Sequence, residues 1–188
     1  MKRNIFIIAL FAVTLLASTS CWNNSNKKET TEVAETYKVE ALMENAETLA
    51  GQAVTIEGVC THLCRHGAKK MFILGDSVTV RVESGELGSF PQECINANVQ
   101  VTGTLVEDRI DEAYLAEWEA QVAANTAEEH GDEEEGGCAA DKAARNEQGN
   151  SINERIQDFR AKIADRKAKE GKEYLSFYHV LATSYEIK

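Results

Sequence analysis

The chain holds one proline, Pro91, and no apolar run long enough to cross a membrane as a helix. Such a helix needs about 20 consecutive apolar residues. The main apolar stretch, Ile5 to Ala17, is shorter and gives way to Ser18-Thr19-Ser20 and then to the polar segment Asn23 to Lys28. Basic charge is scarce: 20 Lys and Arg stand against 31 Asp and Glu, for a formal charge of −11. Affinity for nucleic acid rests mainly on Lys and Arg neutralising phosphates, so no nucleic-acid partner is expected. Docking on anionic lipid through surface charge is disfavoured for the same reason. Nucleophile elbow, phosphate-cradling glycine loop and metalloprotease helix are all missing from the sequence, and no catalytic role is expected. There is also no internal repeat.

What is present begins with an export address. Lys2 and Arg3, the apolar run and the small residues Ser18 to Ser20 form the three-part pattern of a secretory signal over residues 1–20. That pattern ends on Cys21, which makes Cys21 the expected lipidation site and the membrane the expected partner of the N-terminal lipid. Several acyl chains on one N-terminus anchor durably. Ser18 stands where such signals ordinarily carry leucine, with Leu15 and Leu16 just upstream. This looser box resembles those of Bacteroidetes lipoproteins. Removing Lys2 and Arg3 with the signal leaves a mature charge of −13. Residues 21–37 are polar and read as a flexible tether. No acidic run follows Cys21, so the expected location is the cell envelope, lipid-anchored on the periplasmic side of the outer membrane.

Residues 38–188 are expected to form one domain, mainly β with a helical insertion. Leu42, Ala46 and Leu49 share a helical stripe that ends near Gly51. Val54 and Ile56 alternate with polar residues up to Gly58, where a bend or bulge is expected. Lys69 to Leu74, Val78 to Val82, Val99 to Leu105 and Leu175 to Ile187 read as four further strands. Five short strands, the first long and glycine-bent, resemble an oligomer-binding (OB) fold. More closely, the run from Val39 to Glu107 resembles the OB-fold lipoproteins of Bacteroidetes. The resemblance rests on Val54-Thr-Ile-Glu-Gly58, Cys60-Thr-His-Leu-Cys64, Arg65-His-Gly-Ala-Lys-Lys70 and Ser176-Phe-Tyr-His179. It implies an exported five-stranded barrel, and it brings no activity with it.

Between the fourth and fifth strands, residues 108–172 are expected to form a helical hairpin. Asp111 is a candidate N-cap for a helix carrying Leu115, Trp118 and Val122. Ser151 with Glu154 fits a capping box ahead of Ile152, Ile156, Phe159 and Ile163, and Gly171 would stop that helix. From Glu107 to Asp141 there are 13 acidic residues and one basic; from Lys142 to Lys172 there are 9 basic and 5 acidic. Facing arms of opposite charge attract, though exposed pairs contribute only about 0–1 kcal/mol each. The acidic run from Glu128 to Glu135 reads as solvated surface or as a weak divalent-cation patch.

Cys60, His62, Cys64 and His66 recur at every second residue, which in an extended strand places all four on one side. Thiolate and neutral imidazole suit zinc or copper, with Cys138 or His130 as a further ligand from the insertion. The Cys-x-x-x-Cys spacing resembles the copper motif of Sco-type assembly proteins in ligand chemistry alone, since the βαβ pattern of their fold is missing. Equally, Cys60 continues the parity of Val54 and Ile56 and reads as a core residue. Cys60, Cys64, Cys94 and Cys138 are also disulfide candidates with three full pairings, and the Cys60/Cys64 pair is a candidate for thiol exchange. His179 reads as a structural histidine. Two functions follow: a non-catalytic binding module for an envelope protein or small ligand, or a metal-handling or thiol-redox protein.

Overall fold

A computed structural model describes residues 35–65, 67–126, 139–148 and 151–188. The described residues form six strands: β1 (Glu35–Lys38), β2 (Ala53–Leu63), β3 (Lys70–Leu74), β4 (Thr79–Glu83), β5 (Asn98–Asp111) and β6 (Tyr174–Ile187). Two short helices, α1 (Val39–Glu44) and α2 (Ala46–Leu49), follow β1. Three more, α3 (Glu112–Thr126), α4 (Ala139–Ala144) and α5 (Ile152–Glu170), lie between β5 and β6 in sequence.

The strands form a mixed sheet closed into a five-stranded barrel. β2 pairs antiparallel with β3 and with β5, β3 with β4, and β5 with β6; the parallel β4–β6 pairing completes the circuit. Closure leaves those ladders few unpaired edges. The alternating apolar residues expected from the sequence point inward. Val54, Ile56, Val80, Val82, Val99, Val101, Leu105 and Val180 are buried together, and Val39, Leu42 and Ala46 of α1 and α2 join the same cluster. Glu40 fixes α1 to the barrel, since its Oε1 accepts from the backbone N–H groups of Ser77 at 2.8 Å and Val78 at 3.2 Å. These bonds, the Ser77 one foremost, hold the Glu40 carboxyl below its ordinary range.

Two boundaries differ from the sequence expectation. The segment expected as tether through residue 37 contributes Glu35 to Tyr37 to β1, which pairs parallel with Val54 to Glu57 of β2. Strand β5 runs on past residue 108, the expected start of the helical segment, because β5 and β6 stay paired from Asp108↔Phe177 to Asp111↔Tyr174. The run Glu107-Asp108-Arg109 looks like a strand end. In the folded chain Asp108 meets a buried arginine on the outer face, and Ile110 is buried beneath the helices.

Local capping chemistry matches the sequence. Asp111 Oδ1 accepts from Tyr114 N at 2.9 Å, Ser151 Oγ accepts from Glu154 N at 3.2 Å, and Gly171 ends α5 at φ +72°. Leu115, Ile156, Phe159, Ile163 and Ile110 form a second apolar cluster, with Trp118, Leu175 and Phe177 against it. Arg160 of α5 reaches Glu112 and Glu119 of α3, both at 2.6 Å, as opposite charge on the two segments predicts. None of the described helices is long and apolar enough to cross a membrane.

Gly103 sits at the bulge where the β5–β6 register shifts, and a Cβ there would run into the backbone carbonyl of Leu181. Rigid backbone has no side-chain freedom with which to yield. Gly103→Ala should therefore lower the unfolding free energy by about 1–3 kcal/mol. Urea denaturation checks this, and an unchanged midpoint would contradict the barrel geometry at that position.

Candidate functional site

The cysteine and histidine series begins at the end of β2, and a bulge there decides its geometry. Cys60 opposes Ile73 of β3, yet His62 opposes Phe72, so Thr61 is the extra residue. Two residues against one reverse the alternation. Cys60 faces the barrel interior with no exposed surface, whereas His62 lies outside, its ring 5.7 Å from that of Phe72. The expectation that Cys60, His62, Cys64 and His66 all project to one side is thereby corrected for Cys60 and His62. Cys64 is buried just beyond the strand, where its backbone N–H donates to Lys70 O at 2.9 Å.

His66, His130 and Cys138, together with Cys21, lie outside the described residues. Among the described residues, no group of three Cys, His, Asp or Glu side chains converges to hold a metal ion. No disulfide joins Cys60, Cys64 and Cys94 to one another.

Cys60 and Cys94 are both fully buried in the main core. Burial, reinforced by the nearby Cys94, pushes the Cys60 thiol up to about 11. Burial and the charge of Glu93 push Cys94 up as well. The thiolate is the reactive form, and both groups are held away from it.

The strongest convergence of charged groups lies on the outer face of the barrel. In β4 the alternation Val80-Arg81-Val82 sends both valines inward and Arg81 outward. Arg81 is nevertheless only 5% exposed. The parallel register puts it beside His179 of β6, and β5 lies next to β6. Arg81 Nη2 donates to Asp108 Oδ2 at 2.6 Å, and Nη1 donates to Asp141 Oδ1 of α4 at 3.0 Å. Its Nε lies 3.4 Å from Glu83 Oε1, an ion pair without a hydrogen bond. His179 Nδ1 lies 3.1 Å from Asp108 Oδ2 and 3.2 Å from Arg81 Nη2, within hydrogen-bond distance of both, and Lys70 Nζ donates to Asp141 Oδ2 at 3.2 Å.

Burial works against the Arg81 charge. The Asp141 hydrogen bond, with the charges of Asp141, Glu83 and Asp108, outweighs it and holds Arg81 above the ordinary arginine value. The His179 hydrogen bond, with the charges of His179, Arg81 and Arg145, overcomes burial and holds the Asp108 carboxyl below its ordinary range. Burial would raise Asp141, but Arg145, Arg81 and Lys70 together hold it down. The cluster is a set of matched opposite charges. It contains no nucleophile beside a base, and His179 has the satisfied structural environment expected of it.

Beside this cluster the barrel surface is hollowed. A cavity of about 460 Å³ lies between α1–α2, β6 and the segments from α4 and α5, and a second of about 250 Å³ adjoins it next to Arg81 and Asp141. Met43, Arg145, Asn146, Ser176, Phe177 and Tyr178 line both. Sequence reasoning singled out none of these six as site residues. The one local signal was Arg81, a charge at the centre of an apolar alternation. Nothing near it in sequence identifies Asp108, Asp141 or His179 as its partners. No protein-family model matches the chain, and no curated protein is significantly similar to it.

Native protein at pH 8 should leave Cys60 and Cys94 unmodified by iodoacetamide, and both should react after denaturation. Peptide mass spectrometry reads the result. Rapid labelling of either in the folded state would contradict their burial.

Proposed function

We propose that this chain is an exported lipoprotein, held in the cell envelope by lipid on Cys21, that acts as a non-catalytic binding module. Its barrel is an OB-fold whose last two strands, β5 and β6, are separated by an inserted helical hairpin. The strand order and directions support this: three antiparallel neighbours, then a parallel closure of the third barrel strand on the last. OB-folds often take nucleic acid on their strands, but the formal charge of −11 opposes that use here.

One observation carries the binding reading. The barrel interior is filled by side chains, while the outer recess beside Arg145 and Phe177 stays open at about 460 Å³. Small-molecule sites are concave, with apolar walls and a few convergent polar groups, and this recess has both. Zinc or copper handling through the cysteine and histidine series has less support, because Cys60 and His62 lie on opposite faces of the sheet. Thiol exchange through Cys60 and Cys64 is also less well supported, because the Cys60 thiol is held protonated.

Two measurements on the whole protein test the reading. Cys21→Ser should abolish incorporation of labelled fatty acid and move the protein from the membrane to the soluble envelope fraction; unchanged partition would remove the lipid anchor from the account. Protein isolated from its own envelope under native conditions should carry a co-purifying small molecule or protein at near one equivalent by mass spectrometry. Consistently ligand-free and partner-free protein would overturn the binding role.

A further inference from the structure

We propose that the outer recess binds a small organic monocarboxylate with an apolar body, its carboxylate on Arg145 and its chain against Phe177 and Met43. This deepens the binding-module reading and rests on it.

Arg145 is the unspent group of the recess. An arginine side chain has five N–H donors and no acceptor. Among the described residues the Arg145 side chain makes no hydrogen bond, and its Nε is buried without an acceptor. The nearest carboxylates, Asp141 Oδ1 at 3.8 Å and Glu147 Oε1 at 3.7 Å, are beyond hydrogen-bond reach. Both are committed elsewhere. Asp141 serves Arg81 and Lys70, and Glu147 accepts from Arg155 Nε at 2.7 Å. Buried polar groups are nearly always partnered, so a guanidinium left this way calls for an explanation.

The other two cations of the recess differ. Lys162 donates to Asn146 O at 2.6 Å and to Asp158 Oδ2 at 2.7 Å. Arg166 donates to Glu170 Oε2 at 3.0 Å, Tyr174 O at 2.9 Å and Ser176 Oγ at 3.2 Å. Lys162 and Arg166 are thus anchored by their own acceptors, whereas the Arg145 guanidinium has no hydrogen bond among the described residues to hold it.

Three features then fix the class of ligand. A planar fork of N–H groups matches a carboxylate in two parallel hydrogen bonds. The guanidinium carbon of Arg145 lies 5.8 Å from the centre of the Phe177 ring, and Met43, Leu175 and Tyr178 extend an apolar surface from it. Glu44, Glu47 and Glu170 also line the recess and offset its three cations, Arg145, Lys162 and Arg166, so a single negative charge is better matched there than the double charge of a phosphate dianion. The volume of about 460 Å³ falls in the range of small-molecule sites, roughly 300–1,000 Å³.

Calorimetric titration of the full chain carrying Cys21→Ser, with octanoate, 1-octanol and octyl phosphate as probes, tests the assignment. Octanoate should bind saturably at one site and more tightly than either of the others. Arg145→Gln should weaken octanoate roughly ten- to a hundred-fold, the loss expected for charge-assisted hydrogen bonds, and Arg145→Lys should weaken it less. Circular dichroism and melting temperature verify that both variants fold; should Arg145→Gln not fold, the probe comparison and Arg145→Lys carry the test. Equal affinity for octanol, tighter binding of octyl phosphate, or octanoate binding indifferent to Arg145→Gln would overturn the proposal. So would failure of all three probes. In that case a molecule or protein co-purifying with the native protein would show that the ligand class is wrong and the binding role right.

Discussion

Placing Arg81 under a helix on the outer wall of the barrel obliges the chain to bring carboxylates to it. Moving a charge out of water carries a penalty of several kcal/mol unless hydrogen-bonded partners compensate. Here Asp108 comes from the neighbouring sheet region and Asp141 from α4, sixty positions later in sequence. Asp141 also takes Lys70, so one helix side chain is tied to β3 and β4 at once. One turn further along, Arg145 lines the recess, and Glu147 then joins Arg155 of α5. The position of the recess wall thus follows from the pairing of Arg81.

The molecule divides its polar and apolar chemistry by face. Inside, branched aliphatic residues, Cys60 and Cys94 fill the barrel, and the thiols are pushed toward their protonated form. Outside, charge is concentrated where β4, β5 and β6 run together, and it is matched almost pair for pair. An apolar interior with no open charge suits a scaffold. Arg145, whose side chain makes no hydrogen bond among the described residues, faces a hollow with aromatic and aliphatic walls, where recognition has both a charge and a surface to work with.

Much of the barrel was legible because strand alternation and helix capping are local. Val54 and Ile56, Val80 and Val82, the Ser151–Glu154 box and the Gly171 stop each declare themselves within four residues. What sequence concealed was non-local. The bulge at Thr61 depends on how β2 meets β3, and nothing in Cys60-Thr-His-Leu-Cys64 signals it, so a one-sided row of ligands was the natural reading. The extension of β5 through Asp108 was hidden because its charge is satisfied by Arg81, 27 residues away. The recess draws on α1, α4, α5 and β6, elements far apart along the chain, and no spacing rule links Met43 to Arg145 and Phe177.

A double-mutant cycle between Arg81→Met and Asp141→Asn, read as unfolding free energy in urea, measures the constraint on which this arrangement depends. A coupling of about 1.5–3 kcal/mol is predicted, as for a hydrogen bond between charged groups. Single-mutant effects that simply add, to within about 0.5 kcal/mol, would mean that Arg81 does not hold α4 to the barrel.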